Sequence, residues 1–324
     1  MAQAIRVHKV GGPEVLQFET IEVGEPGQGQ IKMKQHAIGV NYIDVYLRTG
    51  LYPQPSHPFI PGMEGAGEVI AVGPGVSDLK VGDRVAYAGP AGGYATERLI
   101  AADRVVKIPS SIDYKTAAAM MLQGMTVRYL IRKTYKVGPG TTLLWHAAAG
   151  GVGLIACQWV KHLGGTLIGT AGGPAKCKLA LEHGAAYCID YTKEDFVARV
   201  KEITGGKLCD VVYDSIGKDT FPKSLDCLKP LGLFVTFGNA SGPIENFNAG
   251  ILAAKGSLYM TRPTLATYTA SRADLLETAN DLIDVVSKGI VKIEVNHTYA
   301  LKDAAQAHRD LEARKTTGSI VLLP

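Results

Sequence analysis

Cysteine is scarce and carries no pairing pattern. Cys157, Cys177, Cys188, Cys209 and Cys227 include no CxxC unit, and an odd count cannot complete a disulfide framework within one chain. A reducing compartment, the cytoplasm, is the simplest expectation. No run of about 18 apolar residues occurs, and the opening stretch from Met1 to Val10 has no apolar core, so neither a membrane span nor a secretory signal is expected. Blocks of one charge are missing as well. The net charge is only +4, with Lys and Arg interleaved among Asp and Glu, and there is no basic patch with interleaved aromatics, which argues against a nucleic-acid partner. Internal repeats and low-complexity segments are also absent.

What is present is ordinary globular material. The 324 residues, 46% hydrophobic and 20% charged, can bury a large core in about two domains. Up to about residue 120, short strand-like runs (Ala4 to Val7, Gln30 to Ala37, Gly67 to Val72, Arg84 to Ala88) are broken by Gly and Pro and predict a compact all-β module. From about residue 123 the texture changes. Apolar strands (Thr141 to His146, Thr166 to Thr170, Tyr187 to Asp190, Val211 to Asp214, Gly232 to Phe237) alternate with helices (Val152 to Leu163, Ala175 to His183, Phe196 to Thr204). That alternation predicts a doubly wound parallel α/β sheet of the Rossmann kind. A tail follows, with a helix Arg272 to Lys288, a short strand around Lys292 to Val295, a helix Lys302 to Ala313 and a strand Ser319 to Leu323. The expected division is residues 1–122 with 266–324 as a discontinuous β-rich domain and 123–265 as the inserted nucleotide-binding domain.

The strongest motif is Leu143-Leu144-Trp145-His146-Ala147-Ala148-Ala149-Gly150-Gly151-Val152-Gly153, a strand entering a glycine turn and then a helix. Gly150 lets the backbone approach a pyrophosphate, and Gly153 lets helix and strand pack closely. The helix-start N–H groups, from Gly151 and Val152 onward, face the phosphate charge. Ala148 stands where the first glycine of GxGxxG would be. A lone glycine motif is weak evidence, but the flanking strand and helix supply its context. His146 reads as a packed or backbone-bonded residue in preference to a base.

About twenty residues on, NAD enzymes place an acid for the ribose 2′-hydroxyl. The stretch Thr170-Ala171-Gly172-Gly173-Pro174-Ala175-Lys176 has none. Lys176, just past the Gly172-Gly173 turn, could pair with a 2′-phosphate, so NADPH is the expected cofactor.

Gly62-Met63-Glu64-Gly65-Ala66-Gly67-Glu68-Val69, Gly73-Pro74-Gly75-Val76 and Val81-Gly82-Asp83-Arg84-Val85 resemble the catalytic-domain signature of the medium-chain dehydrogenases/reductases. The glycine turn with Gln158 and Lys161 resembles the quinone oxidoreductase (zeta-crystallin) branch. The resemblance runs from Ala2 to Pro324 and implies a GroES-like (chaperonin-10-like) β domain, a Rossmann domain, a deep cleft between them and a homodimer. Where the zinc enzymes of the superfamily carry catalytic ligands, this sequence has Asn41, Met63 and Leu122, which offer no zinc donor set. A structural-zinc lobe is missing too, because Val85 reaches Tyr94 through eight residues without cysteine. A metal-free site is therefore expected.

Such a site is ill suited to alcohol oxidation, which needs a lowered hydroxyl pKa, and well suited to reducing a quinone, whose conjugation makes it electrophilic. The expected function is NADPH-dependent quinone reduction. An alkenal or enone reductase and a low-turnover NADPH-binding protein, crystallin-like or RNA-binding, are the alternatives. Candidate donors to the acceptor are Asn41, Tyr46, Tyr52 and Arg262. Asn41 alternatively holds the nicotinamide ribose, and the two tyrosines are read as flanking a loop, Leu47 to Leu51. For single tyrosines or for Arg262, packing or solvated roles are equally open. The resemblance further implies cofactor contacts from Thr126, from Tyr191 near the adenine, from Phe237, Gly238, Asn239 and Ser241 beside the nicotinamide half, and from Arg314 at the 2′-phosphate.

Overall fold

Alternating burial along extended segments builds the first part of the chain. In the computed structural model, which describes residues 1–324, β1 (Ala2–Val7) and β2 (Leu16–Ile21) pair antiparallel. They are followed by β3 (Gln30–Val40), helix α1 (Tyr42–Thr49), β4 (Glu64–Val72), β5 (Arg84–Ala88), β6 (Glu97–Ala101), β7 (Val106–Lys107) and helix α2 (Tyr114–Tyr129). Next come β8 (Thr142–Trp145), α3 (Gly151–His162), β9 (Thr166–Ala171), α4 (Pro174–Glu182), β10 (Tyr187–Asp190), α5 (Phe196–Ile203) and β11 (Cys209–Asp214). After β12 (Leu228–Thr236), α6 (Gly250–Ala254), β13 (Tyr259–Thr261) and α7 (Leu265–Tyr268), the chain closes with α8 (Arg272–Ser287), β14 (Val295–Ala300), α9 (Ala304–Glu312) and β15 (Ser319–Leu323).

Residues 1–125, 269–287 and 293–324 pack as one unit; residues 126–268 and 288–292 pack as another. In the first, a seven-stranded sheet runs β14-β15-β3-β4-β5-β7, with β6 also on β3. Its pairs are antiparallel except β14 with β15. Ile5, Val7, Ile38, Val40, Ile320 and Leu322 form one core cluster, and Ile31, Met33, Val69 and Val85 another. In the second unit, six parallel strands run β10-β9-β8-β11-β12-β13. One core cluster takes Leu144, Ile168, Ile189, Val212 and Phe234 from five neighbouring strands of that sheet. Strand order reverses between β8 and β11, and a doubly wound sheet binds ligands at the carboxyl ends of such strands. No helix of the protein is long and apolar enough to cross a membrane.

Two expectations need correction. The first module is not all-β, because Tyr42–Thr49 is helical. The run Tyr42-Ile43-Asp44-Val45-Tyr46 is rich in β-branched and aromatic residues and reads as strand, but Asp44 accepts the Asn41 backbone N–H (2.9 Å) and caps the helix start. The penultimate strand is Val295–Ala300, not Lys292 to Val295. Lys292 is held instead by Gln158, which donates to its carbonyl (2.9 Å) and accepts from its N–H (2.8 Å). The true strand contains Asn296, His297 and Thr298 and is half-buried, so it lacks an apolar signature.

Candidate active site

At the end of β8 the chain turns through Ala147, held at φ 56°, into α3, whose first turn has no side-chain cap. Uncapped N–H groups at Gly151 and Val152 suit an anion. A Cβ on Gly153 would lie 2.5 Å from the carbonyl oxygens of both Ala147 and Ala148, so only glycine lets helix and turn approach this closely. A Cβ on Gly150 would meet nothing of the protein nearer than 3.4 Å, which leaves the space over the turn to a ligand. Ala148 replaces the first motif glycine because the opposing strand supplies one: a Cβ on Gly169 would sit 2.6 Å from the Ala148 methyl.

β9 ends at Ala171 without an acid, and Gly172 and Gly173 lead into α4, with Lys176 in its first turn. The nearby strand-end acid is Asp190, whose Oδ1 accepts from the Gly173 N–H (2.9 Å), the Thr192 N–H (3.1 Å) and the Thr192 hydroxyl (2.7 Å). Those bonds hold its carboxyl below the usual range, Thr192 contributing most. Asp190 orders the glycine turn, a role that was invisible in sequence. Tyr191 is exposed, and a Cβ on Gly172 would come 2.7 Å from its hydroxyl, so the phenol lies over that glycine.

Across the switch point, buried Asp214 accepts from the N–H groups of Ile216 (2.8 Å) and Gly217 (3.0 Å) and from the hydroxyls of Thr220 (2.7 Å) and Ser224 (3.0 Å). His146 bonds Thr170 and Ser224, each at 2.9 Å, and burial depresses its pKa. It is a packed residue tied to side chains, the first of the two roles expected for it. Beyond β12, the Phe237 ring packs tilted against Trp145, and Gly238 is required because a Cβ would lie 2.5 Å from the Ser215 carbonyl. The Ser241 hydroxyl donates to Ile216 O (3.0 Å) and accepts from Asp219 N (3.0 Å), so it pins this loop, and the Asn239 carbonyl accepts from Gly242 N (3.0 Å) within it. Arg262 donates to Thr236 O (3.2 Å) at the carboxyl end of β12. Thr126 is half-buried on α2 in the same unit.

In the other unit, Asn41 is buried at the start of α1 in a chain of polar side chains. Its Nδ2 donates to Glu64 Oε1 (2.7 Å), its Oδ1 accepts from Gln123 Nε2 (3.0 Å), and Gln123 Oε1 accepts from the Ser319 hydroxyl (2.9 Å). Glu64 Oε2 accepts the Leu122 N–H (2.7 Å). Of the three positions that the family resemblance matches to zinc ligands, Asn41 is thus an amide held by its neighbours, while Met63 and Leu122 bring a thioether and a hydrocarbon. Tyr46 and Tyr52 do not flank a loop, since Tyr46 is a buried residue of α1 whose ring meets the half-buried Tyr52 ring edge-on at 5.1 Å. Arg314 is exposed in the left-handed region just past α9.

A second buried chain starts at Asp44, which accepts the Tyr94 hydroxyl (3.0 Å); Tyr94 contacts His308 Nε2 (3.0 Å), and His308 Nδ1 faces Arg48 (3.2 Å). Arg48 makes a bidentate pair with Glu312 at 2.8 and 2.9 Å. This order fixes the imidazole as neutral, with Nε2–H donating to Tyr94 and Nδ1 accepting from Arg48. Burial, aided by the Arg48 charge, accordingly depresses His308 to about 3. Burial pushes Asp44 up to about 7 and Glu64 up to about 8. Neither acid was singled out from the sequence, although Glu64 stands in a quoted motif and Asp44 follows Asn41 at capping spacing.

These shifts predict a pH dependence. Both acids bind protons more tightly folded than unfolded, so their contribution is full at low pH and is lost as pH rises through about 7 to 8. His308 acts in the opposite sense, but only below the ordinary histidine range near 6.5. Between pH 6.5 and 8.5 the carboxyl groups therefore dominate, and the melting temperature measured by calorimetry should fall by roughly 5 °C. A flat or rising Tm over that window would refute these protonation states.

Residues 27–110 match the alcohol dehydrogenase GroES-like domain, and residues 151–283 match the zinc-binding dehydrogenase family. The chain is 53% identical to the quinone oxidoreductase of Pseudomonas aeruginosa, with 100% of each covered. It belongs to the quinone oxidoreductase family. A solved structure of the Escherichia coli quinone oxidoreductase complexed with NADPH is similar at a TM-score of 0.98 and 50% identity, covering 99% of this chain and 100% of that one. The 2-haloacrylate reductase of a Burkholderia species is 45% identical over 100% of this chain and 99% of its own length. The fold is thus a GroES-like domain joined to a Rossmann domain, as in other quinone oxidoreductases.

Proposed function

We propose that the chain reduces quinones at the expense of NADPH, without a metal. The observation that carries this reading is the end of β9, where no acid awaits a ribose 2′-hydroxyl, Asp190 is engaged by Gly173 and Thr192, and Lys176 occupies the first turn of the next helix. The cradle fits a dinucleotide: Gly150, Gly151, Val152 and Gly153 take the pyrophosphate at the start of α3, and Tyr191 takes the adenine. Lys176 and Arg314 supply cations for the 2′-phosphate. Thr126 and the Phe237 to Ser241 loop serve the nicotinamide half. When bound, NADPH supplies the hydride. Asn41 donates its remaining amide N–H to the acceptor oxygen as negative charge grows there, Tyr46 and Tyr52 offer aromatic surface to a planar acceptor, and Arg262 adds positive charge.

Replacing Lys176 with Ala should raise the KM for NADPH about tenfold, about 1.4 kcal/mol, and leave that for NADH nearly unchanged. Equal effects on both nucleotides would defeat the 2′-phosphate assignment. The 45% identity to a 2-haloacrylate reductase favours a conjugated alkene as the second reading. Turnover of 1,4-benzoquinone and 9,10-phenanthrenequinone against a 2-alkenal decides between them, and a preference for the alkenal would replace the quinone assignment.

The likeness to other family members is joined by an open sheet edge. Strand β13 ends the parallel sheet with Tyr259 62% exposed, and we propose that a second copy covers it in a homodimer. Size-exclusion chromatography with light scattering should give twice the 34.4 kDa chain mass, and a monomer at micromolar concentration would contradict this.

A further inference from the structure

The chain Ser319, Gln123, Asn41 and Glu64 has a direction as well as a geometry. An amide can present either end to a neighbour, so hydrogen bonds alone leave Asn41 and Gln123 two consistent orientations, and the Ser319 hydroxyl can rotate to suit either. The direction must come from a group that cannot reverse. Glu64 is that group once ionised, above the value near 8 to which burial pushes it, because a carboxylate can only accept. Its Oε2 then receives the Leu122 backbone N–H, which can only donate, and its Oε1 receives Asn41 Nδ2, each at 2.7 Å. With Nδ2 on Glu64, Asn41 must turn Oδ1 to Gln123. Gln123 must then donate through Nε2 and accept from Ser319 through Oε1. Glu64, Asn41, Gln123 and Ser319 are all buried, so water cannot substitute for a misdirected partner.

We propose that Glu64 is a positioning residue that fixes the polarity of the Asn41 amide, and with it where the second Nδ2 hydrogen points. This rests on the reading of Asn41 as the donor to the acceptor.

Exchanging the two partners, E64Q together with Q123E, tests it. The amide placed at position 64 would still accept the Leu122 N–H and would donate to Asn41. The carboxylate placed at position 123 would accept from Asn41 and from Ser319. Composition, net charge and all four hydrogen bonds are kept, but the Asn41 amide is turned end for end. At pH 8.5, above the value near 8 to which burial pushes Glu64, the exchanged variant should melt within a few degrees of the unmodified protein and lose at least tenfold in kcat/KM for NADPH-dependent quinone reduction. If it keeps full kcat/KM while N41A loses it, amide polarity is irrelevant and the inference is overturned. Full activity in N41A removes the reading of Asn41 itself. Should the exchanged protein not fold, Q123M decides. Glu64 still directs the amide there, so kcat/KM should stay within threefold, and a larger loss would assign the polarity to Gln123 and refute the proposal.

Discussion

Replacing Gly153 with valine should abolish measurable NADPH binding. Even a methyl group there would sit 2.5 Å from two carbonyl oxygens, those of Ala147 and Ala148, and neither belongs to a flexible side chain. Either α3 moves off the turn, which withdraws its N–H groups from the pyrophosphate, or the turn itself is deformed. An overpacked site of this kind costs about 3 kcal/mol, which corresponds to more than a hundredfold in affinity if the loss falls on binding. Fluorescence titration with NADPH, beside calorimetry to register any share taken by folding, separates the two. Unchanged affinity and unchanged Tm together would mean that the turn does not cradle the cofactor.

Asn41→Ala should have an effect of similar size by a different route. It removes the proposed donor to the acceptor oxygen, for which a hundredfold fall in kcat/KM, about 2.7 kcal/mol, is the expected scale. It also strands Glu64 Oε1 and Gln123 Nε2 without partners in a buried setting, at about 2 kcal/mol of stability. Steady-state kinetics on protein shown to be folded distinguishes the effects. A loss of stability alone, with kcat/KM intact, would leave Asn41 a structural residue.

What the sequence made legible follows from the range of the interactions involved. The strand, glycine turn and helix around Gly150 lie between Thr142 and His162, and the alternation of strands and helices is itself a local pattern, so the doubly wound half could be read directly. The absence of an acid after Ala171 is equally local. The Asn41 network is not: Asn41 meets Gln123 across 82 residues, Ser319 meets Gln123 across 196, and Arg48 meets His308 across 260. No periodicity signals such pairings. Asn41 itself came to notice because it stands where the zinc enzymes of the superfamily carry a ligand, and Glu64, one residue past Met63 in a quoted motif, was given no role. Helix α1 was hidden by its β-branched and aromatic content, since a capping carboxylate three residues in outweighs weak intrinsic preference. Strand β14 was hidden by polarity, because an edge strand exposed on one face needs little apolar sequence.

The central claim is that a nicotinamide cofactor bound through the β8 turn passes hydride to an acceptor that brings its own electrophilicity. The most direct measurement is NADPH oxidation by the purified protein after exhaustive chelation, with 1,4-benzoquinone as acceptor and NADH as the comparison nucleotide. Undiminished turnover after chelation, with NADPH preferred, is the predicted result. Turnover that returns only when zinc is restored, or a protein indifferent to reduced nucleotides, would contradict it.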